Sequence, residues 1–580
     1  MNQWQTLVSE EHLLQQVDKN KLMEYAQTIS KEVRLSGSEA ELRTFRYVKQ
    51  TLEEMGVETN LQFHQAYISW PVKSQLVVAD QLIPSITHSM GQSVNHLQAE
   101  LVYAASGRAQ DYQDGKAVGK IVLLDGLATP LAVKTAEEQG AIGAVFINAA
   151  YTHEMIVSTV WGTPTLENKG LLPSIPVVSV TRDAADAIKR FLSEGQNTCT
   201  ISTFVETGIR TIPILTADIK GHSEPDKFIL FSGHIDSWHY GAMDNGSANA
   251  VMLEVARILS RHRSQLKRTL RLAFWSGHSH GRYAGSAWYC DTHWEDLREN
   301  CILHLNIDSV GAKNATVLTE ANAMKETRKL ACDVIKLLAN QEFTGTRFGR
   351  AGDQSFWGTG TPSLFMGLSE QEPSDDPAAT AFRQLFGAGK SGGFGWWWHT
   401  TEDTIDKIDP DLLERDCKIY LSIVWRCLTS PFYPIDQLEA IQDIEEGVRE
   451  WQRKAGDRFD LSTTLGRIER VKAGITQLQA LMSTVTDEEK LAAFNHCLLE
   501  LSSYLVPINY VKGSIFEHDL ALKQPPVPKF SDIDLLVQTT PEQQEYHFLI
   551  TSLQRKRNEV NYALKQADQL LQNTLRLLQA

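Results

Sequence analysis

The segment Phe228–Leu259, FILFSGHIDSWHYGAMDNGSANAVMLEVARIL, constrains this chain more than any other. An apolar run, Phe228–Phe231, reads as a buried strand. It ends in Gly233 and His234, with Asp236 two residues on. A loop then carries Asp244–Asn245–Gly246, and a helical pattern starts close behind. In an open α/β sheet, ligands bind in the crevice beyond the carboxyl ends of the strands. The spacing therefore predicts His234 at such an end, with Asp244 reaching the same crevice from the following loop.

The flanking sequence extends this pattern over residues 213–430. TLRLAFWSG, ILHLNID and TPSLFMG are further short apolar runs, each followed by a Gly- or Asp-containing loop and separated by long helical stretches. Such alternation implies an α/β unit with a mostly parallel sheet covered by helices on both faces. Residues 71–212 have a different texture, with β-rich runs punctuated by Gly and Pro, and read as a separate compact α/β domain. Residues 1–70 read as helices followed by a short extended segment. Leu42, Phe45, Val48, Leu52 and Met55 fall at helical spacing, Gly56 ends the helix, and Val57–Ala66 looks extended. Over residues 431–580 three apolar stripes recur: Leu438 to Trp451, Leu465 to Leu478, and Leu553 to Leu571. They predict a helical bundle, broken by QPPVP at 524–528. Its apolar face serves either a partner subunit or the bundle's own core.

Composition narrows the function classes. A formal net charge of −15 disfavours a phosphate backbone as partner, so no nucleic acid is expected. Seven cysteines at scattered spacing, with no C-x-x-C, argue against a disulfide framework and a thiolate zinc site. The first residues lack the basic and apolar regions of a secretory signal, and no apolar stretch is read as a membrane span. A cytoplasmic protein with no membrane partner is the expectation.

Two further residues join His234 and Asp244. Asp308 ends the strand ILHLNID. His399 sits in GGFGWWWHTTEDTIDKIDPDLL, in a loop predicted to precede a helix. Two imidazoles and two carboxylates at strand ends or loops suit zinc, and two metals sharing one carboxylate can polarise a carbonyl and acidify water. Each residue has a plainer reading as a cap or hydrogen-bond partner. HTTEDT equally reads as a helix N-cap through Thr400 or Thr401.

Taken in order, GHIDSW…MDNGSANAVMLEVAR, FWSG…AGSAWY, LNIDSVG, GDQSFWGTGTPSLF and HTTEDTIDKIDP resemble the co-catalytic zinc aminopeptidase and glutamate carboxypeptidase family. RLSGSEAELRTFRYVKQTLEEMGVE is similar to that family's entry into its peptidase core. Residues 71–212 resemble its protease-associated domain, and the C-terminal helices its dimerisation domain. The resemblance implies a zinc-exopeptidase-like mixed sheet, Zn2+ at one or two per chain, a peptide or related amide substrate, and a homodimer through the C-terminal helices. It also implies that Asp244 bridges two metals, His399 and Asp308 complete one site, His234 belongs to the other, and Asp236 orients His234.

One part of the family pattern is missing. A Glu-Glu pair, base and ligand, should follow the Phe-Trp strand; this chain reads FWSGHSHGRYAGS, with no carboxylate between Trp275 and Ser286. Either His278 or His280 takes over the ligand role while the other imidazole, or a metal-bound hydroxide unaided, handles the proton, or the fold survives as a silent scaffold. The first gives an aminopeptidase-like metallohydrolase, with an amide hydrolase acting on a non-peptide compound as a variant. Trp396, Trp397 and Trp398 are candidates for an apolar wall or for a packed loop. Arg282, Arg347 and Arg350 are candidates for a substrate carboxylate, and Asp353 for a free amine.

Overall fold

A computed structural model of the chain describes residues 9–375, 379–380, 383, 392–485 and 487–579. Six strands build the peptidase core: β1 (Glu58–Val78), β2 (Thr198–Ile219), β3 (Glu224–His234), β4 (Arg268–Trp275), β5 (Cys301–Ile307) and β6 (Ser363–Met366). They lie in the order β6-β5-β3-β4-β2-β1. β6, β5, β3 and β4 pair in parallel, and β2 and β1 add antiparallel strands at one side. From Phe228 onward in β3, over nearly all of β4 and along β5, the parallel strands are buried on both faces, as helices on either side require. The helix Ala248–Arg261, whose residues are buried from Ala248 to Ser260, packs between Lys19–Ile29 and Pro410–Thr429.

β1 and β2 depart from the sequence expectation. The extended segment after Gly56 is not short. β1 pairs with β2 from Glu58↔Asp218 to Val78↔Cys199, one long ribbon that runs out of the core and into the next domain. Both expected boundaries, near residues 70 and 212, thus fall inside continuous strands. Gly56 does end its helix, with φ +73°. Beyond the ribbon, Val94–Tyr103 pairs antiparallel with β2, and Ile121–Asp125, Gly143–Ile147 and Val177–Val180 continue from it as successive parallel strands.

The C-terminal region is a bundle of Gln437–Ala455, Ser462–Leu481, Glu488–Tyr510 and the long Gln544–Gln579. Ile441, Ile444, Val448, Ile475, Leu564 and Leu571 are buried, as their spacing predicts. Among the described residues one helix, Glu488–Tyr510, is long and apolar enough by composition to cross a membrane, which the sequence reading missed. Most of it is buried, packed against Gln544–Gln579. All seven cysteines are free thiols.

Candidate metal centre

The parallel register of β3 and β5 builds one half of the site. Leu305 lies opposite Phe231 and Asn306 opposite Ser232, so the next residues along, His234 and Asp308, emerge side by side. His234 Nε2 is 3.6 Å from Asp308 Oδ2. The chain then loops out and returns at Asp244. Gly241 makes the return possible: its φ is +54°, and a Cβ there would lie 2.3 Å from the Asp244 carbonyl oxygen. Asn245 staples the loop to the end of β5, donating to the Ile307 carbonyl (3.1 Å) and accepting from Ser309 N–H (3.1 Å). Asp244 Oδ1 thereby comes to 3.1 Å from His234 Nε2, and its Oδ2 to 3.0 Å from His399 Nε2.

This geometry corrects one expectation. Asp308 pairs with His234 rather than with His399, because adjacent parallel strands deliver the first two together. His399 arrives separately. Nor does HTTEDT cap a long helix. Thr400 Oγ1 donates to the Trp397 carbonyl within a tight turn, and the following long helix, Pro410–Thr429, is capped by Asp409. The carboxylate of HTTEDT matters instead. Buried Asp403 accepts from Met243 N–H (2.9 Å) and Asp244 N–H (3.0 Å), fixing the loop that carries Asp244. Burial pushes the Asp403 carboxyl up to about 7, against the pull of those two amides.

Both metal-facing imidazoles have their other nitrogen occupied by a backbone carbonyl. His234 Nδ1 lies 2.9 Å from the Asp236 carbonyl oxygen, and His399 Nδ1 lies 2.7 Å from that of Glu154. A carbonyl only accepts, so Nδ1 carries the hydrogen and Nε2 presents a lone pair to Asp244. Asp236 therefore orients His234 through its backbone; its carboxylate Oδ1 is 3.5 Å from Nδ1. Its Oδ2 is taken by Ser36 Oγ (2.5 Å) and Ser279 N–H (2.8 Å).

Lone pairs facing carboxylate oxygens repel unless a cation or proton lies between them. Among the described residues His234 Nε2 and Asp244 Oδ1 are buried and make no hydrogen bond, even to each other at 3.1 Å. The donor set, imidazole nitrogens and carboxylate oxygens, is the one zinc prefers. In the metal-free chain a proton answers the same demand. Burial alone would lower His234, but Asp236, Asp244 and Asp308 outweigh it and raise it above the usual histidine range. Asp244, raised by burial, is pulled below the usual carboxylate range by His234 and His399.

The loop without glutamates splits its two histidines. The His278 ring stacks on the His234 ring, centroids 3.7 Å apart at 12°. His234, His278 and Asp308 form a group whose potential ligand atoms lie within 4.8 Å of one another. His278 Nδ1 is 2.8 Å from Asp353 Oδ2, which leaves Nε2 as its free ring nitrogen. His280, expected as an alternative ligand, is not in this group. It is turned toward Ser36 (Nδ1–Oγ 3.0 Å) and packs against Trp238. Burial holds it down at about 4.

Several expected substrate residues are committed elsewhere. Arg282 donates to the Ser158 carbonyl (3.0 Å), and Arg347 to Asp443 (3.1 Å) and Asn509 of the C-terminal bundle. Arg350 lies over the Trp161 and Trp357 rings. Asp353 meets His278 rather than an open pocket. Trp397 and Trp398 are buried, Trp398 stacked on His399 at 3.6 Å, and only Trp396 is exposed, against Tyr151. The sequence reading missed Arg34, Ser36, Asn245, Glu154 and Asp403. RLSGSE held a signal for the first two. Buried Arg34 donates to the carbonyls of Ile235 (2.8 Å), Tyr240 (2.7 Å) and Gly241 (3.1 Å), pinning the loop between the two aspartates.

Comparison with known proteins agrees with this fold. Residues 215–424 match the model of peptidase family M28, and residues 97–188 that of the PA domain. Carboxypeptidase Q of Mus musculus is 27% identical over 278 residues, covering 44% of this chain and 58% of that protein. Probable glutamate carboxypeptidase LAMP1 of Arabidopsis thaliana is 22% identical over 362 residues, covering 48% and 53%. The chain thus spans little more than half the length of these curated relatives. An aminopeptidase from Aneurinibacillus sp. strain AM-1 shares the fold, with TM-score 0.54 and 22% identity over 72% of this chain and 96% of that one. A zinc aminopeptidase from Bacillus subtilis does likewise, with TM-score 0.52 and 20% identity over 73% and 96%. Residues 215–424, which carry the site, are thus similar to peptidase family M28, and the segment that matches the PA domain lies between β1 and β2.

Proposed function

We propose that the protein is a metal-dependent hydrolase of peptide or closely related amide bonds, aminopeptidase-like, with zinc as its metal. The observation that carries this reading is the set of buried, unsatisfied acceptors facing one another: His234 Nε2 and Asp244 Oδ1, with Asp308 beside them. An array of that kind is costly to bury without a cation. In this reading His234, Asp308, Asp244 Oδ1 and His278 Nε2 hold the ion. When bound, the metal supplies Lewis acidity toward an amide carbonyl and toward water. Asp403 and Asn245 hold Asp244 in place, and the carbonyls of Asp236 and Glu154 hold the two imidazoles in the ligating tautomer. His278 takes the ligand's part because Asp353 occupies its Nδ1.

On the far side of Asp244, His399 and Asp244 Oδ2 are the ligands of a second position among the described residues, since the loop that supplies a glutamate elsewhere in the family has none. We therefore assign about one tightly held metal per chain. The test is metal analysis of purified protein, followed by hydrolysis assays on aminoacyl and dipeptidyl amides with and without chelator. Bound zinc with chelator-sensitive hydrolysis supports the reading. A chain that binds no zinc, cobalt or manganese and hydrolyses nothing is a scaffold, and the reading fails.

A further inference from the structure

We propose that residues 153–162 of the PA domain are a positioning element of the metal centre: they seat His399 directly and His278 through a hydrogen-bonded relay. This rests on the reading that His278 and His399 face bound metal.

The direct route is a reciprocal pair. The Glu154 carbonyl accepts from His399 Nδ1 (2.7 Å), and Glu154 N–H donates to the His399 carbonyl (2.9 Å). One residue earlier, His153 Nδ1 lies 2.6 Å from the Trp398 carbonyl oxygen. Two successive residues of one domain are thus zipped to two of the other, across 245 residues of sequence. His399 has φ +61°, a backbone conformation disfavoured for a side chain of its size and here held by that zip.

The second route is a chain of hydrogen bonds that converges on the Asp353 carboxylate from both ends. Trp161 Nε1–H donates to Ser355 Oγ (2.9 Å) and Ser355 Oγ lies 2.9 Å from Ser286 Oγ. Ser286 Oγ–H donates to Asp353 Oδ1 (2.8 Å), so Ser355 supplies the hydrogen of the middle link. Asp353 Oδ2 then accepts from His278 Nδ1 (2.8 Å). The relay fixes the Asp353 carboxylate, and Asp353 fixes the ring and tautomer of His278. Carboxylates in this relation to a ligating imidazole set both its orientation and its basicity.

The two surfaces are built to meet closely. The Trp161 ring packs on Tyr283 at 4.3 Å, Gly162 N–H donates to the Arg282 carbonyl (2.7 Å), and a Cβ on Gly162 would lie 2.8 Å from the Ala287 Cβ. Arg282 reaches back to the carbonyls of Ile156 and Ser158. A PA domain serving only as a separable binding module needs none of these bonds.

The test compares Trp161→Phe, which keeps a ring on Tyr283 but removes the donor, with Asp353→Asn and with Leu166→Ala, at an exposed position of the same domain. Chelator competition gives the Zn2+ affinity of each, the Co2+ absorption spectrum reports ligand geometry, and thermal melting reports folding. Asp353→Asn is expected to weaken Zn2+ about 10–100-fold and Trp161→Phe about several-fold, each with an altered Co2+ spectrum and little change in melting. Leu166→Ala should match the wild type. Wild-type affinity and spectrum in Trp161→Phe overturn the relay from the PA domain, even if Asp353→Asn is impaired. A wild-type chain that binds no metal overturns this proposal together with the functional reading beneath it, whereas metal bound equally by wild type and Trp161→Phe overturns the proposal alone.

Discussion

The two sides of Asp244 are built differently. On the His234 side the residues come from adjacent parallel strands whose register is fixed along their length, and His234 and Asp308 are both less than a tenth exposed. On the His399 side the imidazole comes from a loop, and its nearest acidic atom is the second oxygen of the same carboxylate. The loop Ser276–Tyr283 lies against the first side. There it supplies His278, stacked on His234, but it offers the His399 side no carboxylate. A shared bridging residue therefore does not make two equal sites. Among the described residues the rigid side gathers two imidazoles and two carboxylates, and the other side one imidazole and the second oxygen of Asp244.

Four substitutions probe that inequality. Asp244→Asn should have the largest effect, because it weakens both sides at once. Zinc affinity should fall by more than roughly 100-fold, beyond what loss of an outer partner costs, as read by metal content after dialysis against a weak chelator. His278→Ala should come next, losing metal by about 10–100-fold, while His280→Ala should retain it, since His280 faces Ser36 and Trp238. If His280→Ala loses the metal instead, the roles within the loop are reversed. His399→Ala should leave close to one zinc per chain by the same assay. Loss of all zinc in that variant would mean that the His399 side is the tight one.

Much of this site was legible in the sequence, and what was not has a common cause. His234, Asp244, Asp308 and His399 stood out because strand–His–x–Asp and Asp–Asn–Gly before a helix have no packing purpose. The pairing of Asp308 with His234 was not legible, because it depends on which strands are neighbours, and β3 sits between β4 and β5 rather than in chain order. Residues that act through the backbone were hidden for another reason. The carbonyls of Asp236 and Glu154 orient two imidazoles, and no side-chain motif records a carbonyl. Asp403 and Arg34 sat inside motifs whose role the pattern left open. The length of the β1–β2 ribbon was not legible, because what keeps β1 extended past Ala66 is its pairing with a strand far along the chain.

The smallest effect, and the one that separates the two loop histidines electrostatically, is in acid stability. Burial holds His280 at about 4, below the 6.5 of an exposed histidine, so it stays neutral in the fold while the unfolded chain takes up a proton. The sign follows from linkage: the folded state binds fewer protons between pH 6.5 and about 4, so its stability is intact above 6.5 and is lost as pH falls through that window. At its largest the loss is about 3 kcal/mol. His234 has the opposite sign in the metal-free chain. Its raised value adds stability that is present below 6.5 and fades as pH climbs through the folded value. Chemical unfolding of metal-free His280→Asn should therefore show a shallower decline from pH 6.5 to 4 than the wild type, whereas His234→Asn should keep that decline and lose the wild type's fall in stability as pH climbs above 6.5. Equal slopes for the two variants would mean that the two imidazoles sit in equivalent surroundings, and the division between the sides of Asp244 would lose its electrostatic basis.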